Sequence, residues 1–216
     1  MEEKKSSIFE KIYKDYLNQI KEVDFSKVAQ RLGCELDKDK DCVVVKMFGK
    51  DFRVYKDKIL NPEGKKPIHA ESVVLCKYIL MCPDEEIDTS KIEWVSYKDF
   101  KDAAPFASSF SNNVEIAIAR HFAGRVEELK RVCDLYGGKD SDLEISYEVK
   151  KEFQALPKIK LLLLFNDQDE EFPAECSVLF PKYAPKFLDM ECLAILGWLL
   201  ADYLYLSAGG KVPTIM

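Results

Sequence analysis

Five carboxylates follow one another closely in the second half of the chain, where they could act together on a ligand. They are Asp167, Asp169, Glu170, Glu171 and Glu175. Carboxylate oxygens at this spacing can bind Mg²⁺ or Ca²⁺, can pair with a cationic ligand or partner, or can exchange protons where burial raises one pKa. A solvated turn that only keeps the neighbouring strands soluble is the remaining alternative. Residues 167–175 are called the acidic loop below.

The acidic loop directly follows residues 159–165, which are all apolar except Lys160. A short apolar run that begins after Pro157 and ends at polar residues is typical of a strand buried on both faces. Ligands often bind beyond the carboxyl ends of such strands. We therefore expect a ligand to contact four of the carboxylates, Asp169, Glu170, Glu171 and Glu175.

A further ligand contact is expected from Trp94, which stands near polar residues and could line a pocket. Burial in the core is the alternative for this side chain, and it is the expectation for Trp198. No residue is assigned a catalytic or a metal-binding role.

Nucleophilic catalysis is not indicated by the sequence. The chain has two histidines, His69 and His121. His69 lies two helical turns from Cys76, or ~10 Å along the axis, which exceeds hydrogen-bond reach. The chain also lacks a nucleophile elbow and a glycine-rich phosphate loop, because residues 137–139 follow a helix instead of opening one.

The net charge limits the possible binding partners, and the cysteine pattern indicates the cellular compartment. The net charge is −6, which disfavours nonspecific binding to nucleic acid or to anionic lipid. The seven cysteines form no C-x-x-C pair, so we expect free, mostly buried thiols and a cytoplasmic location. The polar start lacks the apolar core of a signal peptide, and the apolar stretch 193–206 is too short to cross a bilayer. We expect no membrane contact.

The hydrophobic periodicity predicts helices and strands in turn along the chain. Helices are expected from a capping box at residues 7–10, after Asp24, over 69–81, from a second capping box at 112–115 as far as Tyr136, and over 186–206. Strands are expected at 42–55, as a hairpin whose type II′ turn has Gly49 in its first central position, and at 143–149 and 159–165.

These elements indicate a single α+β domain over residues 1–216, with a possible seam at 137–142. The expected architecture has N-terminal helices and a β-hairpin, a central mixed sheet and a buried C-terminal helix. Ala194, Gly197 and Ala201 share one side of that helix, so another backbone could approach closely there. A homodimer or another protein partner could use the same helix.

Several segments together resemble one family of proteins. They are the D-E-E-F-P-A-E run at 169–175, Leu156-Pro157, Trp94-Val95-Ser96, Gly137-Gly138 and Glu191. The chain resembles the uncharacterised domain-of-unknown-function family 3786 over roughly residues 20 to 206. The resemblance implies a cytoplasmic protein of anaerobic bacteria or archaea, with relatives joined to iron–sulfur segments and a link to redox or corrinoid metabolism. Pro181 stands where the family pattern often has an Asp, so this chain has one carboxylate fewer, which weakens the hypothesis of a metal site.

The leading expectation is therefore a non-catalytic accessory or ligand-binding protein, with the acidic loop at the mouth of a pocket. A metal-dependent enzyme that uses the acidic loop is the first alternative. A homodimeric structural protein that docks through the C-terminal helix is the second.

Overall fold

The structure, a computed structural model, describes the backbone of residues 2–210 and the side chains of residues 10–210. Its α-helices are α1 Glu2–Ile20, α2 Phe25–Leu32, α3 His69–Leu80, α4 Ala104–Phe110, α5 Ile116–Phe122, α6 Val126–Leu135 and α7 Met190–Ser207. Because α1 is already helical from Glu2, it begins before the predicted capping box at residues 7–10. The side chain of Ser7 lies outside the described residues.

The strands form two antiparallel sheets. The first has the order β1 Glu35–Asp37, β2 Cys42–Met47, β3 Lys50–Val54 and β4 Ile59–Leu60. The second contains β5 Trp94–Ser96, β6 Lys139–Asp140, β7 Val149–Leu156, β8 Ile159–Asn166 and β9 Glu175–Pro181, in the order β5-β9-β8-β7-β6. The α+β class is confirmed. The pairings are antiparallel where a mixed sheet was expected, because short connections join β7 to β8 and β8 to β9.

Strand β8 occupies the middle of the five-stranded sheet, and the predicted buried strand at 159–165 is confirmed. Leu161, Leu163 and Phe165 are fully buried in the same hydrophobic cluster as the helix α7. Leu162 and Leu164 point to the other face, where they are 0% and 3% exposed. Burial on both faces explains why the sequence of this strand is almost continuously apolar.

The hairpin of β2 and β3 is confirmed, but its predicted turn is wrong by one residue. Met47 pairs with Lys50, so the turn consists of Phe48 and Gly49. Their φ angles are +46° and +77°, which is the type I′ pattern rather than type II′. The buried Phe48 ring packs against Phe153 and Tyr203, and this packing offsets the strain of a positive φ.

The predicted helix from residue 112 to Tyr136 is divided differently in the structure. Helices α4 and α5 form one rod through a π-helical segment, Ser111–Glu115, so residues 112–115 continue a helix and the predicted capping box is wrong. The rod stops before Gly124, whose φ is +70°, and α6 then begins. The predicted strand at 143–149 is also wrong, because the chain is irregular until β7 begins at Val149.

Helix α7 is buried along most of its length, as predicted, and Asp189 caps it by accepting a hydrogen bond from the Cys192 amide. A Cβ on Gly197 would lie 2.4 Å from the Phe110 ring. The group that approaches Gly197 is therefore an aromatic ring of α4, whereas another backbone was expected there. By length and composition α7 could also cross a membrane, although 67% of it is buried inside the protein. The expectation of no membrane contact stays a prediction.

Candidate functional site

The acidic loop connects the central strand β8 to β9. Asn166 and Glu175 pair at its base, where the Asn166 Nδ2 donates to Glu175 Oε1 at 3.1 Å. The loop thus projects from the middle of the sheet at the carboxyl end of β8, where the sequence places it.

Asp169 shapes the tip of the acidic loop. Its Oδ1 accepts hydrogen bonds from the amides of Glu171 at 2.8 Å and Phe172 at 2.7 Å, and its own amide donates to the Phe172 carbonyl at 2.9 Å. These two amide bonds lower the pKa of the Asp169 carboxyl below its usual value. Asp169 is therefore turned toward the loop backbone, where it maintains the turn.

Asp167 fastens the start of the acidic loop to the helical layer. Its Oδ1 accepts from the Gly124 amide at 2.7 Å and from the Gln168 amide at 2.8 Å. Gly124 lies in the turn between α5 and α6, so the loop is held from two directions. This arrangement makes the loop an ordered projection.

Most of the remaining side chains of the loop are exposed to solvent. Glu170, Glu171 and Glu175 are exposed. Phe172 is 67% exposed, more than any other large apolar side chain among residues 10–210. Its position between carboxylates and Pro173 was the sequence signal for an exposed aromatic ring, although Phe172 is not among the predicted site residues.

The carboxylates of the loop do not gather around a common point. Among the described residues, no group of three or more His, Cys, Asp or Glu side chains is placed to share a metal ion. Asp169 accepts hydrogen bonds from the loop backbone, and Glu175 accepts one from Asn166. Two of the four predicted ligand contacts are therefore already hydrogen-bonded within the protein. Their contact with a ligand stays a prediction.

Trp94 lies away from the acidic loop. It is the first residue of β5 and pairs with Pro181 at the far end of β9 from Glu175. Six residues of extended strand separate these two ends by ~20 Å. The structure therefore does not bring the half-buried Trp94 together with the four carboxylates, and its contact with a ligand stays a prediction.

Three cavities of the molecule have volumes of about 450, 360 and 620 Å³, and no residue of the acidic loop lines any of these three. The expected position of the acidic loop at the mouth of a pocket stays a prediction.

The other side chains that could take part in chemistry, the cysteines, His121 and Glu115, pack or form hydrogen bonds within the fold. All seven cysteines are free thiols and five are buried, as predicted, and burial raises the pKa of the Cys76 and Cys133 thiols to about 12. The imidazole of His121 packs edge-on against Tyr205. Burial raises the pKa of Glu115. Its Oε1 accepts a hydrogen bond from the Val178 amide of β9. Strand β5 ends before it reaches Val178, so Glu115 takes the place of a strand partner there.

Comparison with known proteins gives one match. The family model described as "Domain of unknown function (DUF3786)" matches residues 24–203. No curated protein and no solved structure matches the chain.

Proposed function

The chain belongs to the DUF3786 family, whose description names no activity. From the geometry we propose that it is a non-catalytic protein that binds a protein partner through the acidic loop. The exposed side chain of Phe172 is the observation that carries the proposal. An aromatic ring that is two-thirds exposed at the tip of an ordered loop is the kind of anchor that interfaces bury in a partner's pocket.

The order of the loop supports binding because little conformational freedom remains to be lost. Asp169 holds the amides of Glu171 and Phe172, and Asp167 holds the amide of Gly124. A loop already in its bound shape reduces the entropic cost of association. The ring and the carboxylates therefore meet the partner as one rigid surface.

The charge of the loop indicates the chemistry of that partner. Glu170 and Glu171 precede Phe172 directly in the chain and are exposed, and Glu175 at the base of the loop is exposed as well. The matching surface is an apolar pocket with Lys or Arg at its rim, which would steer association and fix its orientation. A second copy of this chain, with its net charge of −6, is a poor match by the same argument.

The direct test replaces Phe172 with a photo-crosslinking phenylalanine analogue in the source cells, and replaces Leu135 in a matched control. Leu135 is 61% exposed but lies at the end of α6, outside the acidic loop. We expect one prominent crosslinked protein at position 172 and none of that mass at position 135. The crosslink should weaken at least tenfold with Glu170→Lys and Glu171→Lys together, because the rim charges are then reversed.

Equal crosslinking patterns at positions 172 and 135 would contradict the proposal, as would a crosslink that survives the charge reversal. A cytoplasmic setting and a link to anaerobic redox or corrinoid metabolism remain part of the proposal. Identification of the crosslinked protein tests both.

The two alternatives have their own tests. Calorimetric titration with Mg²⁺, Mn²⁺ and Ca²⁺ on the natural protein and on Glu171→Gln tests a metal-dependent enzyme. Light scattering over a range of protein concentrations tests a homodimer through α7. No observation in the structure favours either alternative over partner binding.

A further inference from the structure

A polar cleft lies at the edge of the five-stranded sheet, where β6 pairs with β7. Its volume is about 450 Å³, within the range of roughly 300–1,000 Å³ typical of small-molecule sites. The residues that line it include Lys139, Ser141, Asp142, Glu152 and Lys160. None of them belongs to the acidic loop, so the cleft is independent of the proposed partner surface.

Three of the lining residues are joined by hydrogen bonds. The Ser141 hydroxyl, on a residue only 7% exposed, donates to Glu152 Oε1 at 2.8 Å. The Lys160 ammonium donates to Glu152 Oε2 at 3.3 Å. An ammonium has three N–H donors, so Lys160 keeps two for a ligand. The wall is therefore built before any ligand arrives.

A buried lysine with two exposed carboxylate partners lies beside the cleft. Lys151 is 6% exposed, and its Nζ contacts Asp134 at 2.7 Å and Asp140 at 2.9 Å. Asp140 lines the cleft, and its charge is balanced by this contact. The cluster joins α6, β6 and β7, so it fixes the strand that carries Lys139.

Two charges beside the cleft lack a partner within the described part of the chain. Neither the Lys139 ammonium nor the Asp142 carboxylate forms an ion pair or a side-chain hydrogen bond among residues 10–210. Lys139 pairs in register with Glu152, so both side chains lie on the same face of the sheet. The lining of the cleft therefore includes one cation and one anion that have no charged partner among residues 10–210.

We propose that this cleft binds a small zwitterion, a molecule that carries one carboxylate and one ammonium group. The ligand carboxylate would lie between Lys139 and Lys160, and its ammonium group against Asp142. Asp140 is already paired with Lys151 and Glu152 with Lys160, so one cation, Lys139, and one anion, Asp142, are left among the residues that line the cleft. A ligand with one charge of each sign can pair with both of them, whereas a singly charged one leaves one of them unpaired.

Calorimetric titration with glycine, 4-aminobutyrate and 6-aminohexanoate tests the proposal over a range of charge separations. We expect saturable binding of at least one of the three. Acetate and ethylamine, which carry one charge each, should bind at least tenfold more weakly. If none of the zwitterions gives saturable heat, or if acetate or ethylamine binds equally well, the proposal is overturned.

Two lysine variants locate the binding. Lys139→Gln should weaken the zwitterion at least tenfold, and because Lys139 is exposed the variant should keep its folded structure. The control is Lys182→Gln, which removes an exposed lysine that pairs with Glu93 outside the cleft. Equal affinity in the two variants would place the ligand elsewhere and contradict the proposal.

Discussion

At the scale of single residues, Phe48 and Phe172 show opposite uses of the same type of side chain. Phe48 is buried at a hairpin turn with a positive φ, and its amide donates to the Ala155 carbonyl of β7. Phe172 stands 67% exposed on a loop that other residues hold in place. The first residue therefore supports the fold, and the second is available to a partner.

The first prediction compares these two residues. Phe48→Ala should lower the free energy of unfolding by roughly 3–5 kcal/mol, because it empties a buried site between two aromatic rings. Phe172→Ala should change it by no more than about 0.5 kcal/mol. Urea denaturation measures both. A similar loss in the two variants would mean that Phe172 is packed and not presented.

The second prediction concerns Asp202, a half-buried acid on α7. Burial raises the pKa of Asp202 to about 6, so the folded state holds a proton that the unfolded state releases near pH 4. This group therefore costs stability as the pH rises from about 4 to 6, and the cost persists above that range.

Asp202→Asn removes that cost. The variant should gain about 1 kcal/mol relative to the natural protein at pH 7, a figure reduced because solvent screens a half-exposed group, and gain little at pH 4. Urea denaturation at the two pH values measures the difference, with the exposed Asp39→Asn as the control. A gain that is equal at both pH values would contradict the assignment.

At the scale of elements, the apolar run of β8 was predictable and the charged sequence of β7 was not. Strand β7 contains Lys150, Lys151 and Glu152, a pattern that does not indicate a strand. Lys151 is buried only because Asp134 of α6 and Asp140 of β6 reach it. Those partners come from elsewhere in the chain, so local sequence cannot show them.

The acidic loop illustrates the same limit for the site. Its location followed from the strand before it, and its five carboxylates were visible in the sequence. The inward turn of Asp169 was not, because it depends on where the amides of Glu171 and Phe172 point. The exposure of Phe172 accompanies that turn, and the sequence signal for it was only the position of Phe172 between carboxylates and Pro173.

The third prediction tests the contact between α7 and α4. Gly197→Ala should cost about 1–3 kcal/mol, since the new methyl group would meet the Phe110 ring. In a Phe110→Leu background the added cost should shrink, because the side chain that the methyl group meets is smaller. Thermal or urea unfolding of the natural protein, the two single variants and the double variant measures both costs in a double-mutant cycle. Equal costs in both backgrounds would show that another neighbour opposes the methyl group.

At the scale of the whole molecule, the hairpin turn of the first sheet joins the two sheets. Phe48 reaches the second sheet, and the Lys50 ammonium lies 4.3 Å from the centre of the Tyr203 ring and 5.1 Å from that of Tyr136. Tyr203 also donates to the buried carboxylate of Glu71 at 2.6 Å, which connects α7 to α3. These contacts connect the two sheets, and the single domain stays a prediction.

The fourth prediction follows from this connection. The chain should unfold in one cooperative transition, so the amide signals of Val45 in β2 and Leu163 in β8 should disappear at the same urea concentration. Amide NMR along a urea titration measures both. Loss of the Val45 signal at a clearly lower concentration would divide the chain into two units and contradict the single domain.

The central claim is that an ordered acidic loop holds Phe172 outward before any partner binds, and amide hydrogen exchange tests it most directly. We expect the amides of Glu171, Phe172 and Gly124 to be protected at least tenfold relative to an unstructured peptide, although they lie at the surface. In Asp169→Ala, protection should vanish at Glu171 and Phe172 and persist at Gly124, which Asp167 holds. Exchange at the unstructured rate at all three amides of the natural protein would contradict the account.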